Sequence, residues 1–333
     1  MKIILLFFIF LSIANANTSL NINAESAIMI ESNSERIIYE KNIDEIHLTA
    51  SIAKIMTAIV AIEKGDLDKY CRVDDETVRQ EGSSIYMHIG DKVKLLDLIY
   101  GLMLRSGNDT AHLIAKSVSG SVEDFVEEMN NKAKELKMTS SVFSNPSGLD
   151  DINYNYSTAY DMAILMAYAM NNNLFRKITN AKSYRFSTYN DNTFYLENKH
   201  RLVQNDKYAI GGKTGYTKLA RRTLVTVFSK NGIELIVVTF NCGNDFNVHK
   251  ELSEFGFGNL KKIKVFNPGI LDIPMYDHTP IIYNEISYPV FHDEKLRCEI
   301  HLLRKPENKE VIGKIILKID NQIVKQYDVY RYY

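Results

Sequence analysis

The chain has 333 residues, of which 45% are hydrophobic, enough to bury the core of one large domain or of two smaller ones. Its 40 lysines and arginines are matched by 41 aspartates and glutamates, which gives a net charge of -1. This balance argues against the basic surface that nucleic-acid binding requires, so no nucleic-acid partner is expected.

Residues 1–16 have the three parts of a signal peptide in order. Lys2 is a short positive region, residues 3–13 are an apolar core too short to span a bilayer, and Ala14 and Ala16 are small residues before a cleavage site. The alternatives are a buried first strand and an uncleaved anchor. We expect cleavage near Ala16 and an exported, extracytoplasmic protein that is secreted or held in the cell wall.

The three cysteines, Cys71, Cys242 and Cys298, are too few and too scattered for a disulfide framework, and we expect them to be buried structural residues. After the N-terminal segment the chain has no run of about 18 apolar residues, so no second membrane span is expected. The segment 324–333 lacks the length and the apolar face of a membrane-binding helix, so no C-terminal membrane anchor is expected.

The first half of the chain predicts a hairpin followed by helices. Two β-rich runs at 27–31 and 36–40, separated by Ser-Asn-Ser-Glu, are typical of a hairpin. Apolar residues at helical spacing begin at Ser51 and end at Gly65. Further helices are predicted over residues 94–104, 109–118, 123–137 and 159–170. Ser157 is a candidate cap for the last of these.

From about residue 182 the pattern changes to strands. Strands are predicted over residues 183–188, 192–197, 211–217, 222–230 and 233–241. Asn231-Gly232 joins the last two and is a strong hairpin signal. A helix over 248–255 follows, and after residue 262 the pattern is that of alternating strands. We therefore predict an α+β fold, an antiparallel sheet flanked by a helical cluster, with a small β-rich domain over 263–333.

The helix that begins at Ser51 carries a potential nucleophile. Ser51 and Lys54 are three residues apart and so share a helix face. A serine hydroxyl needs a neighbour that accepts its proton, and a neutral lysine can do this. The chain has no Gly-x-Ser-x-Gly elbow. The helix N-terminus adds free N–H groups, which favour developing negative charge.

A lysine base requires a second feature, because its pKa falls towards neutrality only through burial or a nearby cation. The Lys-Thr-Gly sequence at Lys213 to Gly215 occurs once and offers such a cation from a predicted strand. A glycine after Thr214 removes a side chain that would block a peptide along the strand edge. The alternative is an ordinary turn, since glycine is common in turns.

The segment from Ser106 to Asn108 lies between two predicted helices. Such a loop can present one hydroxyl and one amide to a cleft, so that Ser106 relays a proton and Asn108 holds a substrate carbonyl. The alternative is a helix cap, since serine and asparagine are favoured there. Two other Ser-x-Asn sequences occur, at Ser19 and Ser229, so this segment has meaning only together with the others.

The order and spacing of the three segments form a specific combination. Ser-x-x-Lys is followed about fifty residues later by Ser-x-Asn and about a hundred after that by Lys-Thr-Gly. The chain thereby resembles low-molecular-mass penicillin-binding proteins of the serine D-alanyl-D-alanine carboxypeptidase family. The similarity covers nearly all of residues 24–260 and is close at 81–115 and 143–165. It implies a β-lactamase/transpeptidase-like fold for a peptidase domain over 17–262.

The resemblance also implies the catalytic roles. Ser51 would be the acylated nucleophile and Lys54 its base, Ser106 and Asn108 the second motif, and Lys213 the start of the third. The implied reaction removes the terminal D-Ala from a peptidoglycan stem pentapeptide ending in D-Ala-D-Ala, with β-lactam antibiotics as covalent inhibitors. No metal or other cofactor is expected, and no His-Glu-x-x-His or similar ligand set is present.

The substrate-binding residues that the resemblance implies are Thr214, Gly215, Tyr216 and Thr217. The backbone N–H groups of Ser51 and Tyr216 would form the oxyanion hole. Lys213 and Thr214 would face the terminal carboxylate of the substrate. Each of these roles is carried over from the family onto the matching position.

The sequence departs from the family pattern in two places. Arg221 stands where glycine is expected, which would crowd the strand end or add positive charge near the site. Some relatives place an arginine after the last core strand to bind the carboxylate, and residues 241–257 contain none. Carboxylate binding would then depend on Lys213, Thr214 and Thr217.

Three alternatives remain open from the sequence. A cross-bridge endopeptidase and a β-lactamase share the scaffold, although residues 143–165 show no obvious glutamate to activate a deacylating water. A wall-binding protein with an inactive site is the third alternative. The three intact motifs argue against it.

Overall fold

The computed structural model describes residues 3–8, 20, 22–150, 153–304, 306 and 309–333. The chain divides into two compact units. One comprises residues 20–254, and the other comprises residues from 255 onward with the N-terminal strand. The predicted domain boundary after residue 262 stays a prediction.

The described residues form the following elements. The helices are α1 (Lys54–Lys64), α2 (Asp75–Val78), α3 (Leu95–Tyr100), α4 (Asn108–Ser119), α5 (Val122–Glu135), α6 (Ala159–Met170), α7 (Asn173–Asn180), α8 (Arg201–Asn205) and α9 (Asp245–Asn259). The first strands are β1 (Ile3–Phe8), β2 (Ser26–Glu31), β3 (Arg36–Lys41), β4 (His47–Leu48), β5 (Tyr70–Arg72), β6 (Lys92–Lys94), β7 (Tyr156–Ser157), β8 (Ser183–Ser187), β9 (Thr193–Glu197), β10 (Ala209–Thr217), β11 (Arg221–Lys230) and β12 (Ile233–Phe240). The remaining strands are β13 (Leu260–Phe266), β14 (Gly269–Ile270), β15 (Pro280–Ile282), β16 (Ile286–Phe291), β17 (Leu296–Leu302), β18 (Val311–Ile319) and β19 (Gln322–Arg331).

An antiparallel sheet in the order β10-β11-β12-β2-β3 forms the centre of the larger unit. Every residue of β12 and β2 is buried, because both faces of these inner strands are covered. The predicted hairpin turn is confirmed, since Asn231 and Gly232 have φ of 53° and 77°, as a tight two-residue loop requires. The expected antiparallel sheet with its helical cluster is therefore present.

Helix α1 crosses the centre of the helical cluster. Its first eight residues are all buried, Lys54 among them. They pack in one core with side chains of α6 and of the sheet, such as Met166 and Val238. Burying aliphatic side chains on this scale is the main stabilising contribution, at roughly 25 cal/mol per Å² of apolar surface. Lys54 is the one ionisable residue among these eight, and its burial needs a separate explanation.

The elements differ from the sequence prediction in several respects. The helix predicted from Ser51 begins at Lys54, after a 3-10 turn, and the short strands β4, β5, β6 and β7 are not predicted. The helix expected over 94–104 ends at Tyr100 and continues as one π-helical turn, Gly101–Arg105. Helix α6 is capped by Thr158, whose side chain accepts from the Asp161 N–H, and not by Ser157. Helices α2, α7 and α8 were not predicted, because each has eight residues or fewer and too few turns for a periodic pattern.

The smaller unit is β-rich, as predicted. One sheet has the order β1-β17-β18-β19-β15-β14, and β13 pairs with β16. Its core consists of alternating buried side chains such as Cys298, Ile300 and Leu302 on β17. The three cysteines of the chain are buried and unpaired.

Part of the predicted signal peptide falls within the described residues. The backbone of Ile3–Phe8 pairs antiparallel with β17. Residues 9–16, with the predicted cleavage site, lie outside the described residues, so the signal peptide stays a prediction. No helix formed by the described residues has both the length and the apolar character needed to cross a membrane.

Candidate active site

Ser51 lies in a tight turn that leads into α1. A 3-10 turn, Ala50–Ala53, precedes the α-helix, and Ala50 has a positive φ of 48°. Gly148 packs directly against this turn, because a Cβ at Gly148 would lie 1.9 Å from the Ala50 carbonyl oxygen. The Thr223 hydroxyl on β11 donates to the Thr49 carbonyl at 3.0 Å. The turn that presents Ser51 is thus held from both sides.

The Lys54 amine lies under Ser51 and is fully buried. Its Nζ is 3.1 Å from Ser51 Oγ and 2.7 Å from Asn108 Oδ1, and it also donates to the Ser147 carbonyl. No carboxylate is among these partners. A buried ammonium without a counter-ion is costly, so the surroundings favour the neutral amine.

Ser106 and Asn108 are brought to the same place by the π-helical turn. Ser106 ends that turn in the left-handed region, with φ of 63°, and Asn108 is the first residue of α4. The Asn108 Nδ2 donates to the Glu81 carbonyl, which leaves its Oδ1 facing Lys54. Ser106 is the C-cap residue of the π-helical turn, whereas the N-cap position of α4 is Gly107, so neither Ser106 nor Asn108 caps the start of α4 with its side chain.

Lys213 is on a strand and not in a turn, so the alternative for Lys-Thr-Gly is also wrong. The side chain is buried, and its Nζ donates to Ser106 Oγ at 3.0 Å and to the Thr214 carbonyl at 2.7 Å. A Cβ at Gly215 would lie 2.3 Å from Thr223 Oγ1 and 3.0 Å from the Ser51 nitrogen. The glycine is therefore required so that β10 can approach the Ser51 turn, a reason that the sequence prediction did not include.

Both buried amines have lowered pKa values. Burial lowers the pKa of Lys54 well below its usual value, and the charges of Lys213 and Lys199 lower it further, whereas Asp109 opposes them. Burial and then Lys199 lower the pKa of Lys213 to about 7. Both burial and the charge of a second buried amine therefore favour the neutral form of Lys54.

Two cavities open onto Ser51. The first has a volume of 410 Å³, and the predicted residues that line it are Ser51, Asn108, Tyr216 and Thr217. The second has a volume of 330 Å³, and the predicted residues that line it are Ser51, Ser106, Thr214, Gly215 and Tyr216. All the predicted site residues are thus brought together around one cleft. Within the described part of the chain, no group of three or more His, Cys, Asp or Glu side chains could hold a metal ion.

Some residues of the site were not predicted from the sequence. Lys199 lines both cavities, and its Nζ donates to Ser83 Oγ at 3.0 Å. Asp109 accepts from the backbone N–H groups of Ile85 and Tyr86, which fixes the loop on which Ser83 lies. Neither residue belongs to one of the three motifs. The loop that each of them contacts lies elsewhere in the chain, so no local sequence pattern predicts these contacts.

Arg221 lies at the start of β11, exposed to solvent, with φ of 59°. This conformation favours glycine, which explains the expectation of glycine at this position. Arg221 lines neither cavity. The adjacent Arg222 lines the second cavity and forms an ion pair with Asp245 at 2.9 Å.

A second buried polar network lies behind β10. The His200 Nδ1 accepts from the Val203 N–H, so Nε2 carries the proton, donates to the Val225 carbonyl at 3.1 Å and also lies 3.1 Å from Thr226 Oγ1. Thr226 can then donate to His249 Nδ1 at 2.8 Å, and His249 Nε2 lies 2.9 Å from Thr239 Oγ1. Both imidazoles are neutral in this arrangement, and burial lowers the pKa of each, that of His200 to about 4.

Comparisons with known proteins agree with these motifs. The S11 peptidase family, described as D-alanyl-D-alanine carboxypeptidase, matches residues 13–244. The chain is 34% identical over 223 residues to D-alanyl-D-alanine carboxypeptidase DacF of Bacillus subtilis, which covers 65% of this chain and 57% of that relative. It therefore spans little more than half of that protein. It is also 29% identical to a D-alanyl-D-alanine endopeptidase of Escherichia coli, over 64% of this chain and 70% of the relative.

A solved structure extends the similarity to the smaller unit. Penicillin binding protein 5 from Haemophilus influenzae superimposes with a TM-score of 0.78 at 23% identity, over 95% of this chain and 98% of that chain. This likeness concerns the fold, and it confirms the predicted α+β architecture with an additional sheet domain. The family match over residues 13–244, more than half of the chain, shows that this protein belongs to the S11 serine peptidases, the D-alanyl-D-alanine carboxypeptidase family.

Proposed function

We propose that this chain is a serine D,D-carboxypeptidase that removes the terminal D-Ala from peptidoglycan stem peptides through a Ser51 acyl-enzyme. The main support is the buried Lys54 amine, 3.1 Å from Ser51 Oγ, with its pKa lowered by burial and by a second buried amine at Lys213. We also propose that the protein is exported, since its substrate lies outside the cytoplasm.

The hydrogen-bond partners of Lys54 support its role as base. A neutral amine has two N–H groups and one lone pair. Asn108 Oδ1 and the Ser147 carbonyl can accept the two N–H groups, so the lone pair is left for the Ser51 hydroxyl. Ser51 Oγ then attacks the carbonyl carbon of the penultimate D-Ala while its proton moves to Lys54 Nζ.

The backbone N–H groups of Ser51 and Tyr216 are the proposed donors to the oxyanion. The close approach of Gly215 to the Ser51 nitrogen supports this pairing, because it brings the two backbone segments together. Loss of one such donor costs roughly 3–4 kcal/mol of transition-state stabilisation in related acyl transfer. Lys213, Thr214 and Thr217 are the proposed contacts of the terminal carboxylate.

The leaving nitrogen must gain one proton when the C–N bond breaks. Ser106 is positioned to supply it, since its hydroxyl is 3.0 Å from Lys213 Nζ, which replaces the proton. The proton held by Lys54 restores Lys213, so Lys54 is neutral again. Water then attacks the Ser51 ester with Lys54 as base, and the Ser51 oxygen leaves with that proton.

The proposal is tested by measuring D-Ala released from a model pentapeptide, with and without benzylpenicillin. We expect release that penicillin abolishes. Ser51→Ala should lose both D-Ala release and covalent labelling by a fluorescent penicillin, while its thermal unfolding is unchanged. Persistent labelling of the Ser51→Ala protein would refute the assigned nucleophile, and intact wild-type protein that releases no D-Ala would refute the activity.

A D,D-endopeptidase is the second candidate, because the Escherichia coli relative carries that name. A cross-linked peptide dimer, assayed beside the pentapeptide, separates the two activities. A β-lactamase is disfavoured, because no carboxylate among the described residues lines either cavity to activate a deacylating water. We therefore expect a long-lived penicillin adduct and no rapid turnover.

A further inference from the structure

A basic face lies outside both cavities, on the small sheet formed by β5 and β6. The central residue of each strand, Cys71 and Val93, is buried, so the residues on either side of it face outward. These four residues, which we call the β5–β6 face, are Tyr70, Arg72, Lys92 and Lys94. Three of the four are cationic, and none of them lines either cavity at Ser51.

The strand register places like charges together on this face. Arg72 is directly opposite Lys92 in the antiparallel pair. Like charges directly opposite each other destabilise a sheet. Within the described ranges, Lys94 pairs with Asp68 at 3.0 Å, whereas no ion pair involves Arg72 or Lys92. A bound anion would therefore relieve a repulsion that the fold leaves uncompensated.

The carboxylates nearest along the chain to these two cations are engaged elsewhere. Asp74 forms an ion pair with Lys116 at 2.6 Å. Asp91 is buried, and its Oδ1 accepts from the side-chain amide of Asn192 at 2.7 Å. Neither carboxylate is thus directed at the β5–β6 face, and an anion for this face has to come from another molecule.

Two tyrosines position the lysines of this face without neutralising them. The Lys94 Nζ lies 5.8 Å from the ring centre of Tyr70, and the Lys92 Nζ lies 5.2 Å from that of Tyr189. Tyr189 is in the turn between β8 and β9, and its N–H donates to the Lys92 carbonyl at 2.9 Å. An aromatic ring attracts a cation through its quadrupole and has no formal charge. Both ammonium groups keep their charge while their freedom is reduced, which lowers the entropy cost of binding an anion.

The substrate of the proposed reaction supplies such an anion. Each uncleaved stem peptide ends in a carboxylate, so a wall polymer with many stem peptides is a polyanion. Tyr86 lines the 410 Å³ cavity, and Lys92 follows it by only six residues, so their Cα atoms are about 20 Å apart at most. One polymer can therefore reach Ser51 and the β5–β6 face at the same time.

We propose that the β5–β6 face is an exosite that binds the carboxylate of a second stem peptide while another stem peptide of the same polymer reacts at Ser51. This inference rests on the proposed function and adds to it a preference for polymeric over soluble substrates. The cations of the face contact no reacting atom. They raise the local concentration of the polymer and leave the chemical step unchanged.

The test compares two substrates of the same enzyme. D-Ala release is measured from uncross-linked polymeric peptidoglycan and from a soluble pentapeptide. The triple variant Arg72→Gln/Lys92→Gln/Lys94→Gln should lower kcat/KM on the polymer about three- to tenfold and leave kcat/KM on the pentapeptide within about twofold. Added salt should lower the wild-type rate on the polymer towards that of the triple variant, because the contacts are exposed and screened.

Two further variants separate charge from structure. Arg72→Lys/Lys92→Arg keeps both charges and should keep the rate on the polymer. Lys134→Gln/Lys177→Gln/Lys207→Gln is the matched control, since it removes three exposed cations that line neither cavity and should change neither rate.

Two results would overturn the exosite. One is a triple variant that cleaves the polymer as fast as the wild type. If vesicles of phosphatidylglycerol then bind the wild type and not this variant, the face belongs to a lipid surface instead. The other is a control variant that loses as much polymer activity as the first variant.

Co-sedimentation with the insoluble polymer measures the same binding without catalysis. A failure of the proposed function appears as no D-Ala release from the soluble pentapeptide by the wild type. A failure of the exosite appears as equal sedimentation of the wild type and the triple variant, so the two failures are distinguishable.

Discussion

The two polar networks on either side of β10 are both buried, but only one of them is electrostatically unbalanced. Gly212 pairs with Thr226 and Lys213 pairs with Val225, so the two networks face opposite sides of the sheet. On one side, His200, Thr226 and His249 satisfy one another as neutral groups. On the other, the Lys54 and Lys213 amines are both buried, and none of their hydrogen-bond partners is a carboxylate.

This difference indicates which of the two buried networks stabilises the fold and which one serves the proposed reaction. A buried polar network whose donors and acceptors are all matched specifies packing. Two buried amines without a counter-ion reduce the stability of the fold. The same burial keeps one amine neutral at a pH where a free lysine is charged, which is what a general base requires. We therefore expect changes to the buried lysines to lower activity more than stability, and changes to the histidine network to lower stability more than activity.

The largest expected effect comes from Lys54→Met, which keeps the length of the side chain and removes the base. Loss of a positioned general base lowers rates by roughly 10²- to 10⁴-fold, so penicillin acylation of Ser51 should nearly cease. Stability should be unchanged or higher, because an apolar chain replaces a buried amine. Stopped-flow acylation and thermal unfolding measure the two quantities. Unfolding of the Lys54→Met protein at a much lower temperature would contradict the functional interpretation of this amine.

The histidine network should make the fold sensitive to acid. The pKa of His200 is about 4 in the folded chain against 6.5 when unfolded, so the unfolded state takes up protons first as the pH falls. The stability due to neutral His200 is complete above about pH 6.5 and is lost towards pH 4, by about 3 kcal/mol at that pH. Urea unfolding from pH 7 to 4 measures this loss. His200→Asn should flatten the pH dependence, and an unchanged slope in that variant would exclude His200 as its source.

Thr226→Val removes the hydroxyl that bridges the two imidazoles and keeps the shape of the side chain. Leaving buried groups without partners costs roughly 1–3 kcal/mol, so the urea midpoint should fall. Acylation of Ser51 in the folded enzyme should stay within about twofold, because Thr226 faces away from the site. A large loss of acylation with an unchanged midpoint would show that this network serves the reaction.

The smallest effect concerns the pH profile. Lys213 lowers the pKa of Lys54, so Lys213→Met should move the acid limb of the acylation profile to higher pH, whatever its effect on the maximal rate. The measurement is the rate of benzylpenicillin acylation between pH 4 and 9. Lys218→Met is the matched control and should leave the limb where it is. A limb that does not move would show that burial alone sets the pKa of Lys54.

Much of the site could be predicted from short-range patterns. Ser51 and Lys54 are one helical turn apart, and Asn231-Gly232 fixes the hairpin of β11 and β12. These features depend on neighbours within a few residues, so the sequence contains the information directly. The cap of α6 was misplaced by one residue, at Ser157 instead of Thr158, because two adjacent hydroxyl residues are equivalent in a pattern.

The amino-acid sequence by itself determined the order of the motifs, the residue types of the nucleophile and its base, and the α+β class. Only the tertiary structure decided that the Lys54 amine is buried, that the charge of Lys213 lowers its pKa, and that Lys199 and Arg105 line one cavity. The physical reason is that desolvation and Coulomb interactions depend on distance in space. The two cations that lower the pKa of Lys54, Lys199 and Lys213, lie more than a hundred residues away along the chain.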